Sequence, residues 1–329
     1  MTIIIDKPGI YDGIDMETYH GQLTVGPSIS SSGLRKLDST TPAHFWVDSY
    51  MNPHRDPVDT TALRMGKAAH TAILGDEVFE EVFAVAPYKL AKNVNENAYG
   101  ERPDKGEEPA WRAGEKQDWW KERVENGPIP LTQDEFATIR AMAETLRSYP
   151  LVKSGILEGE VEKSLVWTDE ETGVWLKARP DTLPKSGFIA DYKTVRSAHP
   201  RDLQKAIAEH GYHIQLALVM EGLVSLGVVP AESLNDLSVV LICQEKEPPY
   251  AVNHVEIDFD WLYRGGQVIR RSVRTFAQCV ASGEWPAYEP PTQAMKAPFW
   301  QAKQYQEDEE SGRLPKPSRA FEGLRSQAA

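Results

Sequence analysis

The stretch ARPDTLPKSGFIADYKT, residues 178 to 194, sets Asp181 and Asp191 ten positions apart and follows the second with Lys193. Residues two apart in a strand project to one face, so Asp191 and Lys193 point together while Ala190 and Tyr192 point the other way. With a turn centred on Lys185 and Ser186, antiparallel pairing brings Asp181 opposite Asp191 to within about one residue. The same reasoning at the preceding turn, EETG, brings Glu162 close to Pro180 and Asp181 and adds a third carboxylate. Carboxylates facing each other across a hairpin repel. A hard divalent cation, Mg²⁺ or Mn²⁺, resolves the repulsion and leaves Lys193 to orient or deprotonate a water, or to stabilise charge on a phosphate during in-line attack. Spacing alone suits equally well a structural arrangement, in which Asp181 caps the turn before Pro184 and Asp191 and Lys193 form an exposed ion pair. The cation reading gains because FIADYKT is otherwise apolar and both neighbouring strands carry acids at matching height.

The elements that must position these groups follow from periodicity. EVEKSLVWTD, VWLKARPDTL and FIADYKTV, joined by EETG and PKSG, predict three strands in an antiparallel meander. LSVVLICQEK and AVNHVEID predict two more strands. SISSSGLRKL reads as a serine-capped helix start, and TTALRMGKAAHTAIL as a helix of small residues with Gly66 one turn before His70. Thr132 to Ser148 carries a capping box, Thr132 with Glu135, and a buried stripe of Phe136, Ile139, Ala143 and Leu146. HPRDLQKAIAEHGYHIQLALVMEGLVSLG reads as a helical hairpin or one helix kinked at Gly211, and Phe259 to Ala281 as a closing helix. Residues 86 to about 130 are a Gly-, Pro- and Asn-rich excursion with a short helix around Trp111 to Val124. The expected organisation is one domain over 1–289, with a helical N-terminal part at 28–150 and a catalytic core at 158–285, followed by a C-terminal extension or tail at 290–329.

These residues resemble the PD-(D/E)xK nucleases and, within them, the RecE-type exonucleases, also called exonuclease VIII. The resemblance rests on RPD at Arg179 to Asp181, DYKT at Asp191 to Thr194, YHIQ at Tyr212 to Gln215 and GKAAHTAIL at Gly66 to Leu74, and extends to SISSSGLRKL and EWPAY. It implies an α/β fold with a restriction-endonuclease-like core, a central mixed β-sheet flanked by helices. It also implies a Mg²⁺ (or Mn²⁺) site formed by His70, Asp181, Asp191 and the backbone carbonyl of Tyr192. Lys193 would be the catalytic lysine, Glu162 an accessory acid, and Tyr212 and Gln215 neighbours of the scissile phosphate or the lysine. Related nucleases often carry a tyrosine four residues after the glutamine; Val219 stands there in this chain, and Tyr212 is the candidate for that role.

The same resemblance implies double-stranded DNA ends as substrate, digested from the 5′ end in a phage or prophage recombination system. It further implies a ring-shaped homo-oligomer and a single-strand annealing protein as partner. Two readings stand beside it: a DNA-binding or recombination-scaffold protein that keeps the fold without turnover, and a structural phage protein whose acids bind a stabilising cation.

Composition sets outer limits. The chain has 329 residues, 41% hydrophobic and 26% charged, with a formal net charge of −13. That balance argues for a soluble globular protein and against one that coats nucleic acid indiscriminately. No apolar run reaches membrane-spanning length and the N-terminus lacks a basic region before its apolar residues, so a cytoplasmic protein is the default, and the resemblance implies the cytoplasm of a bacterial host cell. Cys243 and Cys279 are too few for a thiolate metal site and are expected in the core. Arg35, Lys36, Arg64 and Lys67 are the first choices for phosphate contacts. Trp111, Trp119 and Trp120 either line a nucleic-acid channel with nearby cations or pack an amphipathic helix on the core. His210 and His213, three apart beside Gly211, are expected as helix-end residues in preference to a small metal site with Glu209, because nothing supplies further ligands at suitable spacing. No GxxxxGK[ST] element, dinucleotide fingerprint or GxSxG elbow occurs.

Overall fold

The computed structural model of the chain describes residues 4–55, 68, 70–72, 79–86, 115–126, 128–161, 163–183 and 187–321. It divides into two compact units, Met1–Ala287 and Tyr288–Ala329. The first unit is mixed α/β. Its short strands are β1 (Gly9–Tyr11), β2 (Ser28–Ser30), β3 (Phe83–Val85), β4 (Ile129–Leu131) and β5 (Glu160–Val161). The remaining strands are β6 (Ser164–Thr168), β7 (Trp175–Ala178), β8 (Thr182–Leu183), β9 (Phe188–Val195), β10 (Ser238–Glu245) and β11 (Val252–Glu256). The helices used below are α1 (Met16–His20), α2 (Ser31–Ser39), α3 (Pro42–Asp48), α4 (Glu115–Asn126), α5 (Gln133–Ser148), α6 (Pro200–His210), α7 (Tyr212–Ser225) and α8 (Phe259–Ser282). In the second unit, α9 (Phe299–Glu310) has no buried side chain.

Two mixed sheets carry the first unit. One has the order β1-β6-β7-β2, with β6 antiparallel to β1 and β7 and β2 parallel to β7. The other has the order β11-β10-β9, with β9 parallel to β10 and β11 antiparallel to it. The expected three-stranded meander is therefore half correct. β6 and β7 form the hairpin, closed at Asp169–Gly173 with Gly173 at φ 71°. The third strand leaves that sheet, because β9 finds its partner in β10, fifty residues further on in register Phe188↔Ser238 to Val195↔Glu245. Between them β8 pairs antiparallel with β5, Val161↔Thr182.

β9 is covered on both faces, which is why it reads as a near-continuous apolar run. Ala190 and Tyr192 join Val240, Ile242 and Leu146 on one side, while Ile189 and Val195 join Val239, Leu241 and Cys243 in the main core on the other. α7 is apolar almost all round and lies inside that core. It packs close to its neighbours through glycine: a Cβ on Gly222 would meet Trp167 at 2.7 Å, and one on Gly265 of α8 would meet the His213 carbonyl at 2.9 Å. α8 buries Leu262, Gly265, Ile269, Ser272, Val273, Phe276 and Cys279, three or four residues apart, as an amphipathic helix must. α5 has the expected capping box, Thr132 with Glu135, and buries Ile139, Met142, Ala143 and Leu146. Met142 replaces Phe136 in the expected stripe; Phe136 is only partly buried. Cys243 and Cys279 are buried free thiols. Among the described residues no helix is long and apolar enough to cross a membrane.

Candidate active site

Asp191 and Lys193 stand on β9 and point, by strand alternation, to the side that α7 covers. Gln215, on the first turn of α7, donates from Nε2 to Asp191 Oδ1 at 2.9 Å. The Lys193 ammonium forms an ion pair with Asp191 Oδ2. That oxygen is buried and has no partner of hydrogen-bond geometry. Lys193 Nζ also lies 5.6 Å from the centre of the Tyr212 ring. Tyr212 is set there by Gly211, whose left-handed backbone at φ 63° ends α6 and starts α7 within one residue.

Asp181 reaches the site from the residue before β8. Its Oδ2 accepts the Tyr192 backbone N–H at 2.6 Å, and its Oδ1 lies 2.9 Å from His70 Nε2. The expected antiparallel register of Asp181 against Asp191 is not formed: Asp181 meets β9 at the Tyr192 N–H, one residue after Asp191, by way of a short β5–β8 pairing and not a β7–β9 hairpin. Asp181 is 7% exposed and Asp191 2%. The backbone on the other side of Asp181 is anchored by Arg179, whose guanidinium donates to Ser164 Oγ at 2.7 Å and the Ile14 carbonyl at 2.8 Å.

These four side chains do not titrate alike. Burial, reinforced by the charge of Asp181, pushes Asp191 up to about 6 even though Lys193 opposes the shift. Burial also works against ionisation of Asp181, but His70, Lys193 and the Tyr192 N–H outweigh it and hold that carboxyl below its usual range. Burial disfavours charge on both cations, and the acids overcome it in each case, so His70 and Lys193 are both raised. The result is a quartet in which two half-buried bases, His70 and Lys193, face two buried acids.

Such a set fits a divalent ion. Oxygen donors with one imidazole suit Mg²⁺ or Mn²⁺, and the orphaned Oδ2 of Asp191 is a buried lone-pair donor held beside a removable cation. Among the described residues no three His, Cys, Asp or Glu side chains close on one point. An ion shared by His70, Asp181 and Asp191 therefore needs a further oxygen, for which the Tyr192 carbonyl and water are the available donors.

Of the other expected site residues, Arg35 lies near enough to Asp191 and Tyr212 to feel their charge. Arg35 donates to the His210 carbonyl and, at 3.2 Å, to the Ser31 carbonyl, tying α2 to the end of α6. Lys36 pairs with Asp48. Both cations are thus engaged within the chain. Glu162, Arg64, Lys67 and Trp111 lie outside the described residues. Trp119 of α4 lies under the Arg123 guanidinium, 4.2 Å from the ring centre. His213 is buried, stacked on Trp261, and is no metal ligand candidate with His210. Val219 is in the core, 3% exposed, so a tyrosine is not accommodated there without repacking.

Sequence reasoning missed a second layer. The Tyr192 hydroxyl donates to Gln244 Oε1 at 2.7 Å, and Gln244, fully buried, donates on to the Met142 carbonyl of α5 at 2.9 Å. A lone glutamine in an apolar strand was the only signal for it.

Known proteins add the following. The family model described as "PDDEXK-like domain of unknown function (DUF3799)" matches residues 30–297, which include every described member of the quartet. No curated protein matches the chain. Among solved structures, the crystal structure of a "putative exonuclease" from Eubacterium rectale is similar over 84% of this chain and 92% of its own, with a TM-score of 0.53 and 13% identity. At that identity the likeness concerns the fold, and it agrees with the α/β architecture of mixed sheets flanked by helices. By the extent of the family match, this chain belongs to the PDDEXK-like domain family.

Proposed function

We propose that this chain is a Mg²⁺-dependent DNA exonuclease, with Mn²⁺ as an alternative ion. The observation that carries the proposal is the pair of buried carboxylates where Asp181 meets β9, Asp191 bonded to Gln215 and ion-paired with Lys193, and Asp181 beside His70. His70, Asp181, Asp191 and the Tyr192 carbonyl would hold the ion. When bound there, the ion would acidify a water and offset charge on the leaving 3′-oxygen.

The chain's own residues divide the remaining work. Lys193 stays protonated at neutral pH because its pKa is raised, so it acts as a donor that orients the attacking water and the phosphoryl oxygen, and not as the base. Gln215 fixes the rotamer of Asp191 through Oδ1 and leaves Oδ2 for the ion. Tyr212 walls the lysine and keeps its ammonium over the reacting centre. Water adds to phosphorus, the P–O3′ bond breaks, and the departing oxygen takes up a proton.

Phosphate contacts away from the centre need cations that are not already engaged. Arg196, just past β9, and Arg201 and Lys205, one turn apart on α6, are exposed and have no ion pair among the described residues. We assign them to the DNA backbone in place of Arg35 and Lys36.

The resemblance to RecE-type exonucleases supports the finer reading: 5′-to-3′ digestion of linear duplex in phage or prophage recombination, a ring-shaped homo-oligomer, an annealing protein as partner and the bacterial cytoplasm as location. The test is digestion of linear duplex labelled at the 5′ or the 3′ end, and of covalently closed circles, with Mg²⁺. Release of 5′-terminal nucleotides first, and none from circles, is expected. No product with Mg²⁺ or Mn²⁺, or undiminished product from Asp191→Ala, would overturn the proposal; duplex binding without turnover would identify a scaffold protein.

A further inference from the structure

His70 and Asp181 come from segments more than a hundred residues apart, yet two metal donors must be held to about half an ångström to bind an ion well. The contact between them, 2.9 Å from Nε2 to Oδ1, is a single link between two rotatable side chains. Something else must fix the His70 backbone relative to β9.

The polar contacts around the site close a ring that does this. From Asp181 the path runs to the Tyr192 N–H at 2.6 Å, along that residue to its hydroxyl, and to Gln244 Oε1 at 2.7 Å. Gln244 Nε2 continues to the Met142 carbonyl at 2.9 Å, in the middle of α5. Five residues further along α5, an axial distance of roughly 7 Å, Arg147 Nη2 donates to the Ala72 carbonyl at 2.9 Å. Ala72 is two residues after His70 in the same helical segment. The ring then closes through His70 to Asp181. Apolar contacts run beside it: Leu146 of α5 packs with Tyr192, and Ile139 with Ala68 and Ala72.

We propose that α5 is a strut for the metal site, and that Arg147 and Gln244 are positioning residues that set His70 against Asp181. Neither touches the proposed ion or substrate. Their effect is on how well the donors are pre-arranged, so it is read in metal affinity. This rests on the metal reading of the proposed function, and the experiment separates the two.

Mn²⁺ affinity is measured on the full chain without DNA, from the electron paramagnetic resonance signal of free Mn²⁺. Arg147→Met keeps the aliphatic stem and removes the bond to Ala72; it should weaken Mn²⁺ binding about 10-fold, the lower end of what outer-shell ligand partners contribute. Arg147→Lys, whose ammonium still reaches a carbonyl, should recover part of the loss. Arg140→Met is the control: Arg140 is exposed on the same helix two turns earlier and stacks on Phe136. It should leave affinity unchanged. Tyr192→Phe cuts the ring at another point by removing one oxygen and should lose a similar factor. Affinity in Arg147→Met equal to wild type, or an equal loss in Arg140→Met, would overturn the strut. Should Arg147→Met fail to melt cooperatively, an unchanged affinity in Tyr192→Phe overturns it alone. Absence of Mn²⁺ binding by the wild type would remove the metal reading and the strut with it, whereas binding without nuclease activity would leave the strut standing.

Discussion

Two buried aspartates in this molecule meet opposite fates. Asp169, at the turn between β6 and β7, is 6% exposed, and Asp191 on β9 is 2% exposed. Asp169 Oδ2 accepts from the Thr172 N–H and hydroxyl at 2.9 and 2.6 Å, and Oδ1 lies 2.6 Å from an Arg270 nitrogen on α8. Burial opposes its charge, but Arg270 and Thr172 more than compensate, and its pKa is lowered. Asp191 has a lysine and a glutamine for company, yet burial and the nearby Asp181 leave it at about 6. The first acid is part of a lock between a hairpin and a helix. The second is kept in a state that folding disfavours, as expected where a site is arranged for a ligand that is still to come.

The comparison can be broken by substitution. Lys193→Ala should lower DNA hydrolysis the most, by roughly 10³-fold in turnover, with duplex binding retained; gel-shift and end-release assays separate the two. Asp169→Ala should leave hydrolysis per folded molecule unchanged and cost about 2 kcal/mol in a urea titration, because it removes the charge-assisted bonds that Thr172 and Arg270 make to a buried carboxylate.

The pH dependence of the metal-free protein sharpens the contrast. Asp191 binds its proton more tightly when folded, so its contribution to stability is complete below about 4 and is lost as pH rises through about 6. His70, also raised, contributes below about 6.5 and loses that contribution above its folded value. Asp169 is lowered, so its contribution is present above about 4 and disappears only as pH falls below. Asp191 and His70 should therefore lower the melting temperature of the metal-free protein from pH 5 to pH 8, against the buried His213, whose lowered pKa acts the other way, and Asp191→Asn should remove the acidic part of that fall while Asp169→Asn leaves it. The smallest effect is expected for Arg196, Arg201 and Lys205 together. Changing all three to Gln should raise KM for duplex several-fold and leave kcat unaltered. It should also make log affinity fall less steeply with log salt, by about 0.9 in slope for each phosphate that is no longer neutralised.

Much of this was legible in the chain because it follows from local rules. The Thr132–Glu135 capping box, the three-to-four spacing along α8 and the grouping of Asp181, Asp191 and Lys193 have short-range signatures, whereas Gln215 was legible only through the family resemblance. The departure of β9 from the meander did not. FIADYKTV is apolar enough to be covered on both faces, and such a strand carries no sign of whether its partner is the strand before it or one fifty residues later. Arg147 and Gln244 were invisible for a related reason. An arginine at a helix end and a glutamine in a strand have no spacing signal, and their meaning lies in carbonyls brought to them by tertiary packing. The bonds of Arg35 to the His210 carbonyl and of Lys36 to Asp48 have no spacing signal either.

The most direct test of the central claim is to replace the two acids in parallel and follow melting and Mn²⁺ binding at pH 7.5. If Asp191 belongs to a metal site, Asp191→Asn melts above the metal-free wild type by a few degrees and no longer binds Mn²⁺, while Asp169→Asn melts below it and binds Mn²⁺ as the wild type does. An Asp191→Asn protein that melts lower than wild type and still binds Mn²⁺ would contradict the account, because Asp191 would then be a second structural lock.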